Sequence, residues 1–310
     1  GDAITTGSYN IAIGDSTLGA VTTSSNNTAV GYNAGFTLTS GSQNVFVGTG
    51  AGQLQTTAAN STIMGYHAGD AITTGGSNTA IGAAALGANT TGTLNVAIGA
   101  SALSANTSAS YNIAVGASAL VVNTTGAYNV AVGDYALDAN TTANYNNAVG
   151  VNSLTDNITG TQNNAFGYTA LKSNTTANNN TALGRSALDA TTTGSSNTAV
   201  GHDSLVAVGS YALDASTTAA NNSAVGYGAL GAITTGSDNV AVGYNAGDAA
   251  TQAHSSVFIG KDAGGAFTTG NATVAVGMSA LATGTTASAT TTVGFEAGKV
   301  ITTGTHNTAL

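Results

Sequence analysis

The chain has 310 residues and a formal charge of −9, with 5% charged side chains, no cysteine and no proline. Ordinary globular proteins carry about 25% charged residues, and the cations here stand apart at Lys172, Arg185, Lys261 and Lys299, which excludes the basic footprint of a nucleic-acid binder. Without cysteine there are no disulfides and no thiolate metal sites, and no apolar run approaches the ~18 residues of a membrane span.

Thr, Ser, Asn and Gly dominate the polar content, as in disordered linkers. Apolar residues nevertheless recur in strict phase, which a linker does not show. The chain opens on GDAITTG, the middle of a repeat, and ends on HNTAL; it reads as a segment of a longer chain. A glycine follows a recurring pair, A-V or A-I in 12 of 18 cases and F-V, I-M, A-F, A-L, F-I or T-V in the rest, at 14, 31, 48, 65, 82, 99, 116, 133, 150, 167, 184, 201, 209, 226, 243, 260, 277 and 294. Sixteen of these gaps are 17 residues and one is 8. Fixed self-similarity of this kind is the mark of a solenoid, each repeat one coil stacked on the last.

With that glycine as position 0, position 16 is always apolar and position 15 nearly always Ala. Position 13 is Asn in 14 of the 18 long repeats, and position 8 is Thr except at Ile158. Position 10 comes close to alternating Gly and Ala, which hints at a two-coil unit. Gly, Asn, Thr and Val are weak helix formers and capping signals are absent. Segments such as Asn129–Val132 suit a short strand and the Thr pair suits another, with glycine at 0 and Gly/Ala at 10 making tight corners. Two or three short strands per coil give an all-β, parallel β-solenoid over residues 1–310. At about 4.8 Å per stacked strand, some 18 coils make a rod of about 85 Å.

In chain order the interior changes composition. The early coils carry Gly1, Gly35 and Gly69 at position 4, with bulky Ile4, Leu38 and Ile72 at position 7. From the sixth coil, position 4 is Leu (Leu86, Leu103, Leu120, Leu137) and position 7 is Asn (Asn89, Asn106, Asn123, Asn140). Late coils return to Gly298 with Ile301, and Phe267 follows Gly264. Close-packed interiors conserve volume, so positions 4 and 7 compete for one space; Leu18 with Val21, Leu230 with Ile233 and Gly247 with Ala250 depart from the rule. Phe46 and Phe258 at position 15 are followed by Gly52 and Gly264 at position 4, the same trade. At 202–209 the line HDSLVAVG supplies positions 1–4 and then 14–16 and glycine. This short coil lacks the Thr pair and the Asn, and is expected to interrupt the Thr column and kink the stack.

Stacking turns identical positions into columns. Asn10, Asn27, Asn44, Asn78, Asn95, Asn112 and Asn129 can form a structural ladder of amides along the axis or simply suit a turn. Thr at position 8 can ladder through its hydroxyl. The structural core is assigned to position 16: Ile13, Val30, Val47, Ile81, Ile98, Val115, Val132, Val149, Val200, Val225 and Val242. Positions 14 and 16 share one face of the strand, 13 and 15 the other, and both faces are apolar. A thin coil of 17 residues has one interior, so the second face calls for a partner, most simply another copy of the chain; a wider solenoid in which adjacent apolar residues flank a bend also satisfies the pattern.

The recurrent N-[TVI]-A-[VI]-G, as in Asn95–Gly99 (NVAIG) and Asn112–Gly116 (NIAVG), resembles the N-S-V-A-I-G repeats in head domains of trimeric autotransporter adhesins. The longer unit NTTGAYNVAVGDYAL at 123–137 is similar to repeats of phage tail-fibre shafts and related bacterial surface proteins. The resemblance covers the whole chain. It implies a parallel-stranded, homotrimeric fibre, extracellular or virion-borne. The expected role is a rigid spacer and attachment element, with a bacterial surface adhesin or matrix filament as the alternative. Partners expected are further copies of the chain and a host-surface glycan or protein.

Chemistry finds little purchase. His67, His202, His254 and His306 occupy different repeat positions and form no column, and metals need converging ligands. The aspartates cluster loosely, as at Asp134 and Asp138, without a calcium repeat. No catalytic, cofactor-binding or metal residues are assigned, and no enzyme activity or cofactor is expected. A polysaccharide depolymerase needs two carboxylates at about 5 to 10 Å and a cleft, which loops held to one length do not make. Ice binding favours two Thr columns on one side, whereas Thr5-Thr6 and Thr73-Thr74 are adjacent. Tyrosines gather at corners: Tyr32, Tyr66, Tyr168, Tyr227 and Tyr244 at position 1, and Tyr9, Tyr111, Tyr128 and Tyr145 at position 12. The position-1 tyrosines are candidates for surface contact; packing on the neighbouring coil is the competing reading.

Overall fold

The computed structural model describes residues 1, 3–200, 212–213 and 215–310; the short coil at 202–209 and His202 lie outside the described residues. Two compact units, Gly1–Val151 and Asn152–Leu310, each carry nine strands. The first holds β1 (Ile11–Ile13), β2 (Thr28–Val30), β3 (Val45–Val47), β4 (Thr62–Met64), β5 (Thr79–Ile81), β6 (Val96–Ile98), β7 (Ile113–Val115), β8 (Val130–Val132) and β9 (Asn147–Val149). The second holds β10 (Asn164–Phe166), β11 (Thr181–Leu183), β12 (Thr198–Val200), β13 (Ser223–Val225), β14 (Val240–Val242), β15 (Val257–Ile259), β16 (Val274–Val276), β17 (Thr291–Val293) and β18 (Thr308–Ala309). Within each unit every strand pairs parallel with the next, and position 15 faces position 15: Ala97 on Ala114, Ala114 on Ala131. Each unit is a parallel β-solenoid, all-β, and no helix occurs among the described residues.

Each described coil has one strand rather than two or three, three residues long except for the two residues of β18. At the Thr pair the N–H groups of Thr73, Thr74 and Gly75 all donate to Thr90 O, at 3.0, 3.3 and 3.4 Å. Successive amides converging on one carbonyl make a bend, because a strand would point them alternately to opposite sides. After the strand the chain turns three times in succession: Ala102, Ser104 and Asn106 donate to Gly99, Ser101 and Leu103 at 3.3, 3.3 and 3.1 Å. The intervening amides reach neighbouring coils, as Leu103 to Ala119 O at 3.0 Å and Ser101 back to Ala83 O at 2.9 Å. Turn bonds and bonds between coils thereby pair the backbone amides of the turn segment.

Positive φ explains the glycine at position 0. Gly99 has φ +135°, and a Cβ there would stand 2.6 Å from the Gly116 carbonyl carbon; both facts exclude a side chain. Position 10 is small for a different reason. Its glycines are absent from the positive-φ residues, but a Cβ on Gly126 would strike Asn123 Oδ1 at 2.5 Å and the Ala143 carbonyl. Crowding between coils, not a corner, sets that position. Position 4 is the surprise, because Leu86, Leu103, Leu120 and Leu137 all adopt φ of 51–55°. A left-handed leucine costs about 1–2 kcal/mol. Each side chain is fully buried, worth about 1.5–3 kcal/mol, so burial outweighs the strain.

The interior is built by positions 3, 4, 7, 13 and 15. Ala114, Leu103, Asn106 and Asn112 are fully buried in one coil. Position 16 is not part of it. Val30, Val47, Ile81, Ile98, Val115, Val132, Val149 and Val200 are half-buried, and Ile13, Val225 and Val242 are exposed. The assignment of the core to position 16 is therefore corrected: the strand turns position 15 inward and 14 and 16 outward. Both faces being apolar, alternation alone did not say which was the inside.

In the second unit β12 pairs directly with β13 although 25 positions separate Thr198 from Ser223. The Thr column is not interrupted there: Thr192 Oγ1 donates to Thr217 O at 3.0 Å. Asn222 N–H likewise reaches Asn197 Oδ1 at 3.1 Å. Between the described residues on either side of this interval both columns continue.

Candidate functional surfaces

The Asn ladder at position 13 is real, but it runs chiefly to backbone. Asn27 N–H donates to Asn10 Oδ1 at 3.0 Å, and Asn44 N–H to Asn27 Oδ1 at 3.0 Å. Asn95, Asn112 and Asn129 continue the pattern onto Asn78, Asn95 and Asn112 at 2.9, 3.0 and 2.9 Å. Each Nδ2 then donates to a position-10 carbonyl of the following coil, as Asn78 to Gly92 O at 2.8 Å. One carboxamide thus ties together three segments.

A second ladder at position 7 escaped the sequence reading, which took its Asn only for a small filler. Asn106 Nδ2 donates to Asn89 Oδ1 at 2.9 Å, Asn123 to Asn106 at 3.2 Å, and Asn140 to Asn123 at 2.9 Å. These amides bond to one another and are fully buried. Six successive Asn at 89, 106, 123, 140, 157 and 174 were the available signal. Thr at position 8 turns its hydroxyl to the next coil, Thr73 Oγ1 to Thr90 O at 3.0 Å and Thr90 Oγ1 to Thr107 O at 3.0 Å.

Three surfaces remain for contact. The first is the outer strand face, positions 14 and 16. Every strand from β1 to β17 shows half-buried or exposed residues at both positions, such as Val96 and Ile98, or Val130 and Val132. None of these positions carries a charge. Ionisable side chains gather instead at the turns, among them Asp15, Asp70, Asp134, Lys261 and Glu296.

The second surface is made by the position-1 tyrosines, Tyr32 and Tyr66 in the first unit and Tyr168, Tyr227 and Tyr244 in the second. Tyr227 and Tyr244 stack at 5.0 Å and 9°, and Lys261 Nζ lies 5.7 Å from the Tyr244 ring centre. Asp262, hydrogen-bonded to Lys261, raises that ammonium's pKa. Tyr168 meets Arg185 at 5.9 Å, and Tyr66 packs edge-on against His67 at 4.4 Å. Tyr32 is 53% exposed. The third surface is at position 12, where Tyr111, Tyr128 and Tyr145 form a continuous stack, 4.9 Å at 5° and 5.1 Å at 11°.

Of the titratable residues, His67 Nδ1 faces Asp70 Oδ2 at 3.0 Å, His254 Nδ1 accepts the Ser237 N–H at 3.1 Å, and Asp134 Oδ1 accepts the Ala117 N–H at 2.8 Å. Among the described residues no three of His, Cys, Asp and Glu converge as metal ligands. Burial raises the pKa of Asp248, with the Asp262 charge adding to the effect. Compared with known proteins, the chain matches no family model and no curated sequence.

Proposed function

We propose that this chain is the shaft of an extracellular or virion-borne fibre, a rigid spacer that self-associates as a homotrimer and carries an attachment element. The supporting observation is the outer strand face: it is uncharged in every strand and apolar at position 16, with Val, Ile, Thr, Ser or Asn beside it at position 14, while charges are kept to the turns. Such a face is a poor one to leave in water and a good one to lay against an identical neighbour of the same coil spacing. The amide and threonine ladders support the spacer role, since they stiffen the stack with backbone-directed hydrogen bonds and need neither disulfide nor metal. The resemblance to fibre and adhesin repeats points the same way, and a host-surface glycan or protein is the partner of the whole assembly. Catalysis has no part in this reading.

Ice binding finds no support in the threonines, whose position-8 hydroxyls are engaged with the next coil. The test is mass by light scattering, with Val132→Asp as the probe. The parent chain is expected at three times the chain mass. Val132→Asp, at a half-buried outward position, is expected to keep its β circular dichroism and fall to monomer. A parent chain that is a folded monomer overturns the trimer, and unchanged mass in Val132→Asp removes this face from the interface.

A further inference from the structure

The stack at position 12 has properties that a shaft does not require. Tyr111, Tyr128 and Tyr145 are 48%, 48% and 55% exposed, and their rings lie parallel, 4.9 and 5.1 Å apart. All three backbones are left-handed, with φ of 63, 60 and 61°, so the three side chains leave the coil in the same direction. Ring faces that sugars would stack on are taken up by ring-on-ring contact; what the column offers to solvent is its edges, with the ortho carbons and the phenol oxygens. Composition adds a second, independent argument. The chain has no Cys and no Trp, two Met and 11 Tyr. Thiols and indoles, which would otherwise compete for a one-electron oxidant, are absent, and methionine goes to the sulfoxide rather than to a coupled radical.

We infer that the Tyr111–Tyr128–Tyr145 column is a site of oxidative cross-linking, in which neighbouring coils are stapled by dityrosine. The oxidant class is hydrogen peroxide acting through a haem peroxidase. Two phenols each give up one electron and one proton, and these reduce one peroxide to two waters. The two tyrosyl radicals join through their ortho carbons, forming one C–C bond. The two ortho hydrogens then pass to the phenoxyl oxygens and restore both rings. Holding the two radicals on adjacent rungs replaces a second-order encounter by an intramolecular one. Exposed phenol rings turn readily about their last torsion, which lets two edges that start about 5 Å apart meet. The product closes a 17-residue loop, the same constraint on the unfolded chain that a disulfide supplies, in a chain that has no disulfide. Tyr227 and Tyr244, stacked at 5.0 Å, form a second such pair.

The test oxidises the full chain with peroxide and peroxidase, at a concentration low enough to suppress contacts between assemblies. Dityrosine fluorescence and the loss of two hydrogens per link are read, and the links are then mapped on proteolytic fragments. Links 111–128, 128–145 and 227–244 are expected, at least tenfold above any link involving Tyr9 or Tyr32. Tyr9 is 85% exposed but faces Asn26 at its position in the next coil, and Tyr32 faces Thr49. Tyr128→Phe keeps the ring stack and the fold but removes the central phenol. It is expected to abolish both links in the column while 227–244 persists as the internal standard. Links distributed by exposure, with Tyr9 foremost, would overturn the proposal. So would dityrosine found only between chains, or an undiminished yield from the column in Tyr128→Phe.

Discussion

Two stretches of the first unit fill the same interior in different ways. In the coil that ends on β3, Phe46 points inward from position 15 and Leu38 from position 7, both fully buried. Position 4 is then Gly35 in that coil and Gly52 in the next. A Cβ on Gly35 would stand 2.8 Å from the Phe46 ring, and one on Gly52 would strike the same ring. Four coils later Ala114 takes position 15, Leu103 fills position 4 and Asn106 takes position 7, all fully buried. The bulk has moved from the strand to the turn, and the space released at position 7 holds an amide ladder. Phe258 with Gly247 and Gly264 repeats the first solution in the second unit. The difference teaches that the packing unit is larger than the repeat, because an aromatic in one strand requires glycine in two successive turns.

The largest expected effect tests that coupling. Phe46→Ala should destabilise the chain by about 3–5 kcal/mol. Gly52→Leu alone should destabilise it through the clash. Together they should lose clearly less than the sum, since leucine then occupies what the ring vacated. Thermal unfolding of the four members of the cycle measures it, and additive losses would break the comparison.

Ala131→Leu probes the opposite case. Ala131 is fully buried between Leu120 and Leu137 of its own and the next coil, so strain of about 1–3 kcal/mol is expected. Adding Leu137→Gly should relieve part of it. A harmless Ala131→Leu in urea titration would show spare volume where close packing is claimed.

The ladder at position 7 can be cut in one place and mended in another. Asn106→Ala leaves Asn89 Oδ1 and the Ala109 carbonyl short of a donor, a loss of about 1–3 kcal/mol. In the second unit Thr191 and Ser216 replace Asn, and among the described residues Asn174 Oδ1, Thr191 Oγ1 and Ser216 Oγ have no partner. Thr191→Asn should extend the ladder onto Asn174 and stabilise the unit by about 0.5–1.5 kcal/mol, read as a raised melting temperature.

The smallest effect concerns charge beside the aromatic interior. Asp248 adjoins Gly247, and burial followed by the Asp262 charge raises its pKa. A carboxyl whose folded pKa is raised favours folding when protonated, and that contribution is lost as pH rises through the folded value. Asp248→Asn should therefore raise stability at neutral pH, with the gain vanishing below the ordinary carboxylate range. A gain equal at both pH values would trace the effect to something other than ionisation.

The period, the coil stacking and the trade between positions 4, 7 and 15 were legible in the sequence, because volume lost at Gly52 must reappear within a residue or two of contact, at Phe46. The Thr and Asn columns were legible for the same reason, since in-register stacking places identical letters together. Several features were decided only by the tertiary structure. Ala131 faces in and Val132 out, though both are apolar and a three-residue strand has too few alternations to say which side is buried. Leu103 is left-handed because burial in this interior outweighs a local preference that sequence propensity would obey. The oxygen of Asn112 meets the backbone N–H of Asn129 rather than an amide, while Asn106 does bond amide to amide. The letter is the same at both places, and only the direction of the backbone beneath it differs.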